Sequence, residues 1–158
     1  MTAAATTARA PQDTAGRRAA MATLADARTA EIAAGLAALG PPAHVELRPV
    51  ETGLVMLQGR IGGDGTPFNF GEATVTRAAV RIVSGEVGFS YVLGRDHDKA
   101  RLAALCDALW QNEATLEALE REVLAPIRTR LERERTRRRE EIAASRVDFF
   151  TLVRGEDD

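Results

Sequence analysis

From Phe70 to Leu93 the chain alternates with a period of two, and this constrains its fold more than any other stretch. On an extended backbone Thr76, Ala78, Val80 and Ile82 point one way, while Arg77, Ala79 and Arg81 point the other. Ser84-Gly85-Glu86 has the composition of a tight turn, and beyond it Val87, Phe89, Tyr91 and Leu93 share one face of a second extended run. Two such runs joined so closely pair antiparallel. Upstream, Val45–Arg48 reads as a short strand closed by Pro49, and Leu54–Ile61 as another, joined to the long run by the loop GGDGTPFN. The middle third is therefore expected to be an antiparallel meander of about four strands with one apolar face.

Helical patterns flank the meander. From Asp13, Ala20, Met21 and Leu24, and then Ile32, Leu36 and Leu39, recur every three or four residues. Thr29 and Glu31 restart the pattern, which predicts two short helices ended by Gly40-Pro41-Pro42. Asp96 is placed to cap a further helix whose stripe is Leu102, Leu105, Cys106 and Leu109. Leu116, Leu119, Val123, Leu124 and Ile127 mark another, kinked or restarted at Pro126. Beyond Leu131 no large apolar residue occurs until Ile142, and a helix polar all round bridges solvent or lies on a partner. The expected class is α+β, with N-terminal helices, long C-terminal helices and an extended C-terminal arm. Residues 1–12 are expected to be disordered, 13–127 to form the α+β domain, and 128–158 to form a polar helix and a partner-binding arm.

Composition narrows the function classes. A net charge of -2 argues against a general nucleic-acid or membrane binder. A single cysteine, Cys106, rules out an internal disulfide and a cysteine-based zinc cluster. The opening MTAAATTARAPQ lacks the apolar core of a signal peptide and no run of eighteen apolar residues occurs, so the expected compartment is the cytoplasm.

Candidate chemistry is sparse. Gly62-Gly63-Asp64-Gly65-Thr66 invites a phosphate-cradle reading, but it lacks the P-loop lysine and hydroxyl, and glycines between strands serve turns in any case. Arg95-Asp96-His97-Asp98 sets an imidazole between carboxylates that capping and the helix dipole already explain. His44 stands alone at a strand start. Cys106 lies on an apolar stripe and reads as a small buried hydrophobe. No Ser/His/Asp set, paired-His metal motif or EF-hand loop is present. The helix from Arg128 to Arg146 carries eight Arg against Glu132, Glu134, Glu140 and Glu141, an interleaving that suits a solvated face or an acidic partner. After it come Phe149 and Phe150, with Val147, Leu152 and Val153 around them. One element cannot bury both rings on a single flat surface; a groove on another protein can, and folding back as an extra edge strand is the alternative. Aromatic anchors dominate interface cores, which favours the partner.

Three stretches, ETGLVMLQGRIGGDGTPFNFGEATVTRAAVRI, GFSYVLGRD and SRVDFFTLVRG, together resemble the PhnG family, subunits of the bacterial carbon–phosphorus lyase core complex. The resemblance runs from about Leu36 to Gly155, and TRAAVR and the terminal motif are its specific elements. It implies a role in phosphonate catabolism beside PhnH-like, PhnI-like and PhnJ-like subunits and a PhnL-like ATPase-related protein. In that family the complex exchanges adenine of ATP for an alkylphosphonate at the ribose anomeric carbon, giving an α-D-ribose 1-alkylphosphonate 5-triphosphate. ATP is then substrate of the complex, the iron–sulfur and S-adenosylmethionine chemistry belongs to the PhnJ-like partner, and no cofactor, metal or catalytic residue is expected on this chain. The expected interface or phosphate-facing residues are Arg77, Arg81, Arg95, Arg146 and Arg154, with Val147, Phe149 and Phe150 as apolar anchors, since arginine forks suit carboxylate and phosphate oxygens. The meander is expected to pack on the PhnI-like subunit while residues 128–154 wrap a neighbour. Two rivals stand beside this reading: a stand-alone enzyme using Asp96 and His97, and a nucleic-acid-binding adaptor using the arginine helix.

Overall fold

The computed structural model describes residues 14–144. The expectations for residues 1–12 and for Arg146, Val147, Phe149, Phe150 and Arg154 lie outside the described residues. Within them the class is α+β, with five α-helices and three strands: α1 (Thr14–Asp26), α2 (Thr29–Leu39), β1 (His44–Gly59), β2 (Phe68–Ile82), β3 (Val87–Leu93), α3 (His97–Trp110), α4 (Glu113–Leu119) and α5 (Ala125–Ala144). A π-helical turn, Glu120–Leu124, joins α4 to α5.

The sheet is an antiparallel meander in the order β1-β2-β3, with three strands where about four were expected. The difference lies at Pro49, which does not close a strand. β1 is one run of 16 residues whose register against β2 slips between Glu46 and Arg48 and again between Arg48 and Glu51. A proline is tolerated at bulges and on an edge strand, where no ladder hydrogen bond is required of its nitrogen. The β2–β3 hairpin forms as the turn residues require, with Gly85 at φ 104° and its N–H bonded to the Ile82 carbonyl at 2.9 Å.

One face of the sheet lies on α3. Thr76, Ala78, Val80 and Ile82 of β2 are buried there, as their alternation predicts. On β3 the helix-facing residues are Gly88, Ser90 and Val92, which leaves Phe89, Tyr91 and Leu93 pointing outward. Small residues decide this orientation. A Cβ on Gly88 would lie 1.9 Å from the Ala104 carbonyl oxygen and 2.4 Å from the Ala108 nitrogen, so α3 sits closer to β3 than any side chain permits. The Ser90 hydroxyl donates to the Ala100 carbonyl at 2.6 Å in the same seam.

Behind α3, helices α1, α2, α4 and the start of α5 complete a core around Leu24, Ile32, Leu109, Leu119, Leu124 and Ile127. Local signals place the ends. The Glu31 carboxylate accepts from the Arg28 N–H at 2.9 Å, Gly40 closes α2 at φ 67°, and Asp96 accepts from the Lys99 N–H at 2.8 Å to cap α3. Pro126 has no N–H for the Glu122 carbonyl, and the π turn absorbs the mismatch without ending the helix. Gly35 of α2 sits directly over that carbonyl: a Cβ there would be 2.6 Å from its oxygen.

Candidate functional site

The outward face of the sheet is the most distinctive surface among the described residues. Cross-strand pairing puts Arg77 of β2 between Glu51 of β1 and Tyr91 of β3, and Ala79 between Arg48 and Phe89. Arg77 Nε donates to Glu51 Oε1 at 2.8 Å, and Arg48 Nη2 reaches the same oxygen at 2.9 Å. The Glu51 carboxylate first, and Tyr91 second, raise the Arg77 pKa further, so this guanidinium stays charged at any physiological pH. Around Ala79 these side chains enclose a shallow depression of about 130 Å³, walled by Arg48, Glu51, Arg77, Phe89 and Tyr91. Phe89, Tyr91 and Leu93 are 52%, 62% and 75% exposed, a contiguous apolar patch rimmed by charge, which is the anatomy of an interface core and rim.

Arg81 projects from the same face of β2, two positions of alternation from Arg77. Arg95 does not join them: it follows β3, beside the α3 N-terminus, exposed and without a hydrogen-bonding or ion-pairing partner among the described residues. The structure thus places Arg77 and Arg81 on one face of the sheet and sets Arg95 apart. Sequence reasoning missed that Phe89 and Tyr91 belong to this surface rather than to the core; the signal was the small set Gly88 and Ser90 between them.

The groups weighed for catalysis are engaged in the fold. Asp96 accepts from the Thr29 hydroxyl at 2.6 Å as well as capping α3, and these bonds, the Thr29 one first, hold its pKa below the usual value. His97 Nε2 lies 3.0 Å from the Thr52 hydroxyl, which meets Thr76 Oγ1 at 3.2 Å, and Thr76 donates on to the Gly94 carbonyl. Cys106 is fully buried, and burial pushes its thiol up to about 12, the opposite of what a nucleophile needs. The glycine loop lies between β1 and β2, with Gly62 and Gly63 at positive φ and no helix following it. Among the described residues no group of three or more His, Cys, Asp or Glu is placed to hold a metal ion, and no helix is long and apolar enough to cross a membrane.

The arginines of α5 fall into two sets. Arg130 grips Glu31 of α2 with Nε at 2.6 Å and Nη2 at 3.0 Å, Arg28 reaches Glu134 at 3.1 Å, and Arg128 pairs with Glu120. This first set fastens α5 to the helical layer. From Arg135 onward the helix is exposed on all sides.

The sequence model of a family described as "Phosphonate metabolism protein PhnG" matches residues 15–155, a span that includes Arg146–Arg154. Over 145 residues the chain is 51% identical to the alpha-D-ribose 1-methylphosphonate 5-triphosphate synthase subunit PhnG of Rhizobium meliloti (strain 1021), which covers 89% of this chain and 90% of the relative.

Proposed function

Because the chain belongs to the PhnG family of phosphonate metabolism proteins, we propose that it is a non-catalytic or co-catalytic subunit of an α-D-ribose 1-methylphosphonate 5-triphosphate synthase and serves organic phosphonate degradation. In that reaction an oxygen of the alkylphosphonate takes the place of adenine at the anomeric carbon of ATP, and adenine leaves. The chain supports this displacement by building the complex. Its partners are PhnI-like, PhnJ-like and PhnH-like subunits and a PhnL-like ATPase-related protein, and it works in the cytoplasm. ATP binds to the complex rather than to a site of this chain alone, and iron–sulfur and S-adenosylmethionine chemistry sits on the PhnJ-like partner.

One observation carries this reading: a sheet whose outward face offers Phe89, Tyr91 and Leu93 to solvent around a fixed Arg77–Glu51 pair. Apolar area of this kind is stabilised by burial at roughly 25 cal/mol per Å², and an assembled subunit recovers that energy. The arginines at 77, 81, 95, 146 and 154 are the cations of the interface, and Val147, Phe149 and Phe150 anchor the C-terminal arm in a neighbour.

The test is co-expression with the PhnI-like subunit, followed by size-exclusion chromatography with light scattering. The full chain is expected to co-elute with its partner, and a chain ending at Ser145, or one carrying Phe149→Ala with Phe150→Ala, is expected to elute apart. Equal binding by the shortened chain removes the arm from the interface and leaves the sheet face to carry it; no binding by either removes the subunit reading. A stand-alone enzyme is distinguished by turnover of ATP with the purified chain that His97→Ala abolishes, and a nucleic-acid adaptor by oligonucleotide binding that falls steeply with salt.

A further inference from the structure

Two elements run past the same end of the molecule. The level at which the body ends is marked by three contacts: Thr52 with His97 at 3.0 Å, Thr29 with Asp96 at 2.6 Å, and Arg28 with Glu134 at 3.1 Å. β3 stops at Leu93 opposite Val75, so beyond Gly53 the sheet continues as a ribbon of two strands, Leu54–Gly59 against Phe68–Thr74. α5 leaves the π turn beside Gly35 of α2 and passes Arg28, so it runs antiparallel to α2. Its last ten residues therefore extend about 15 Å beyond Glu134, at the same end as the ribbon.

The two projections also lie on the same side of the sheet. Leu54 pairs with Thr74 and Met56 with Glu72, so Leu54 and Met56 continue the face that carries the helices. Past the helices nothing covers them among the described residues: they are 63% and 57% exposed. A two-stranded ribbon with an uncovered apolar face is marginal in water by itself. On the other projection, residues 135–144 of α5 carry Arg135, Arg137, Arg138 and Arg139 against Glu140 and Glu141, a net of two positive charges.

We propose that ribbon and helix are the two walls of one cleft, which seats a single segment of a neighbouring subunit that presents apolar side chains flanked by carboxylates. The apolar stripe of the ribbon takes the side chains, and the arginines of α5 take the carboxylates, with Arg95 at the floor. A second copy of this chain fits poorly, because it would set its own arginine-rich helix end against another. The inference rests on the subunit reading above and goes beyond it by assigning the gripping surfaces to a different end and a different face from Phe89 and Tyr91.

Hydrogen exchange on the purified complex, compared with the chain alone, tests it. Amides of 54–59, 68–74 and 135–144 are expected to slow together on assembly. Leu54→Ser with Met56→Ser is expected to weaken assembly about a hundredfold, as loss of a hot-spot anchor does. Arg138→Glu with Arg139→Glu is expected to weaken it about tenfold at low salt and less at high salt. Circular dichroism of both variants should match the parent, since neither pair belongs to the core. Protection of only one wall, or wild-type affinity in the ribbon variant, overturns the cleft while leaving the subunit reading intact. Self-association of the chain alone with protection of the ribbon identifies a second copy as occupant and overturns it too. If the parent chain fails to assemble with the other subunits, both readings fall.

Discussion

Asp107 and Arg17 meet in a two-point grip, Nε to Oδ1 and Nη2 to Oδ2, each at 2.7 Å, although 90 residues separate them. Asp107 is 1% exposed and its Oδ2 also accepts the Phe89 N–H at 2.8 Å, while Gln111 one turn on donates to the Val87 carbonyl. The outward-facing backbone groups of an edge strand are thus answered by side chains of α3, and α1 is fastened to the same carboxylate. An edge protected in this way is closed to strand addition at those positions.

Asp107→Ala removes the ion pair with Arg17 and the acceptor of the Phe89 N–H at once and is expected to cost about 3 kcal/mol. Asp107→Asn keeps an acceptor for the N–H and should cost clearly less. Urea unfolding of the two variants checks the order; equal losses would mean that the ion pair alone matters.

Gly88→Ala is expected to prevent stable folding, at about 4 kcal/mol or more, because its methyl group meets α3 backbone rather than a movable side chain. Adding Ala108→Gly removes only the side-chain contact at 3.0 Å and should not rescue it. Thermal unfolding of the single and double variants reads this directly.

Phe89→Ser with Tyr91→Ser should leave the isolated chain within about 1 kcal/mol of the parent, since both side chains are exposed. The same pair should weaken assembly by about 2 kcal/mol or more, as truncation of interface aromatics does. Denaturation and titration with the partner subunit separate the two effects.

The pH dependence has a definite sign. Burial opposes ionisation of Glu31, but the Arg28 N–H and the Arg130 guanidinium outweigh it, and Glu31 and Asp96 both titrate below their ordinary values of 4.5 and 3.8. A carboxylate lowered in the folded state adds stability that is complete above its unfolded pKa and is lost as pH falls through the folded one. Unfolding free energy should therefore decline below about pH 4.5, and Glu31→Gln should flatten part of that decline in a pH series of urea midpoints.

Native Cys106 should resist a thiol reagent at neutral pH and react fully once the chain is unfolded in urea, because burial holds the thiol near 12. Rapid labelling of the folded chain would show that α3 opens locally.

Much of the fold is legible in the sequence where a local rule decides. Glu31, Gly40 and Asp96 mark helix ends through hydrogen bonds to their own neighbours, and Gly85 marks the hairpin. The orientation of β3 was not legible from hydrophobicity, because its large apolar residues face outward and its smallest face inward. Only the distance of α3, set by Gly88 and Ser90, tells the two apart. The unbroken course of β1 through Pro49 depends on its being an edge, which is a property of the sheet and not of the residues around 49. Of the candidate site, the outward placement of Arg77 and Arg81 is legible because they alternate with buried neighbours. The tie of Arg77 to Glu51 needed the register, and the ribbon stripe needed the point at which β3 stops.

The half-covered sheet is also expected to influence how long the chain survives in a cell. A subunit that displays Phe89, Tyr91 and Leu93 until something covers them offers chaperones and proteases the kind of surface by which they sort unfinished proteins. Copies made in excess of their cover are expected to be cleared and covered copies spared, so that abundance follows the scarcer member of the assembly rather than the rate at which this chain is synthesised.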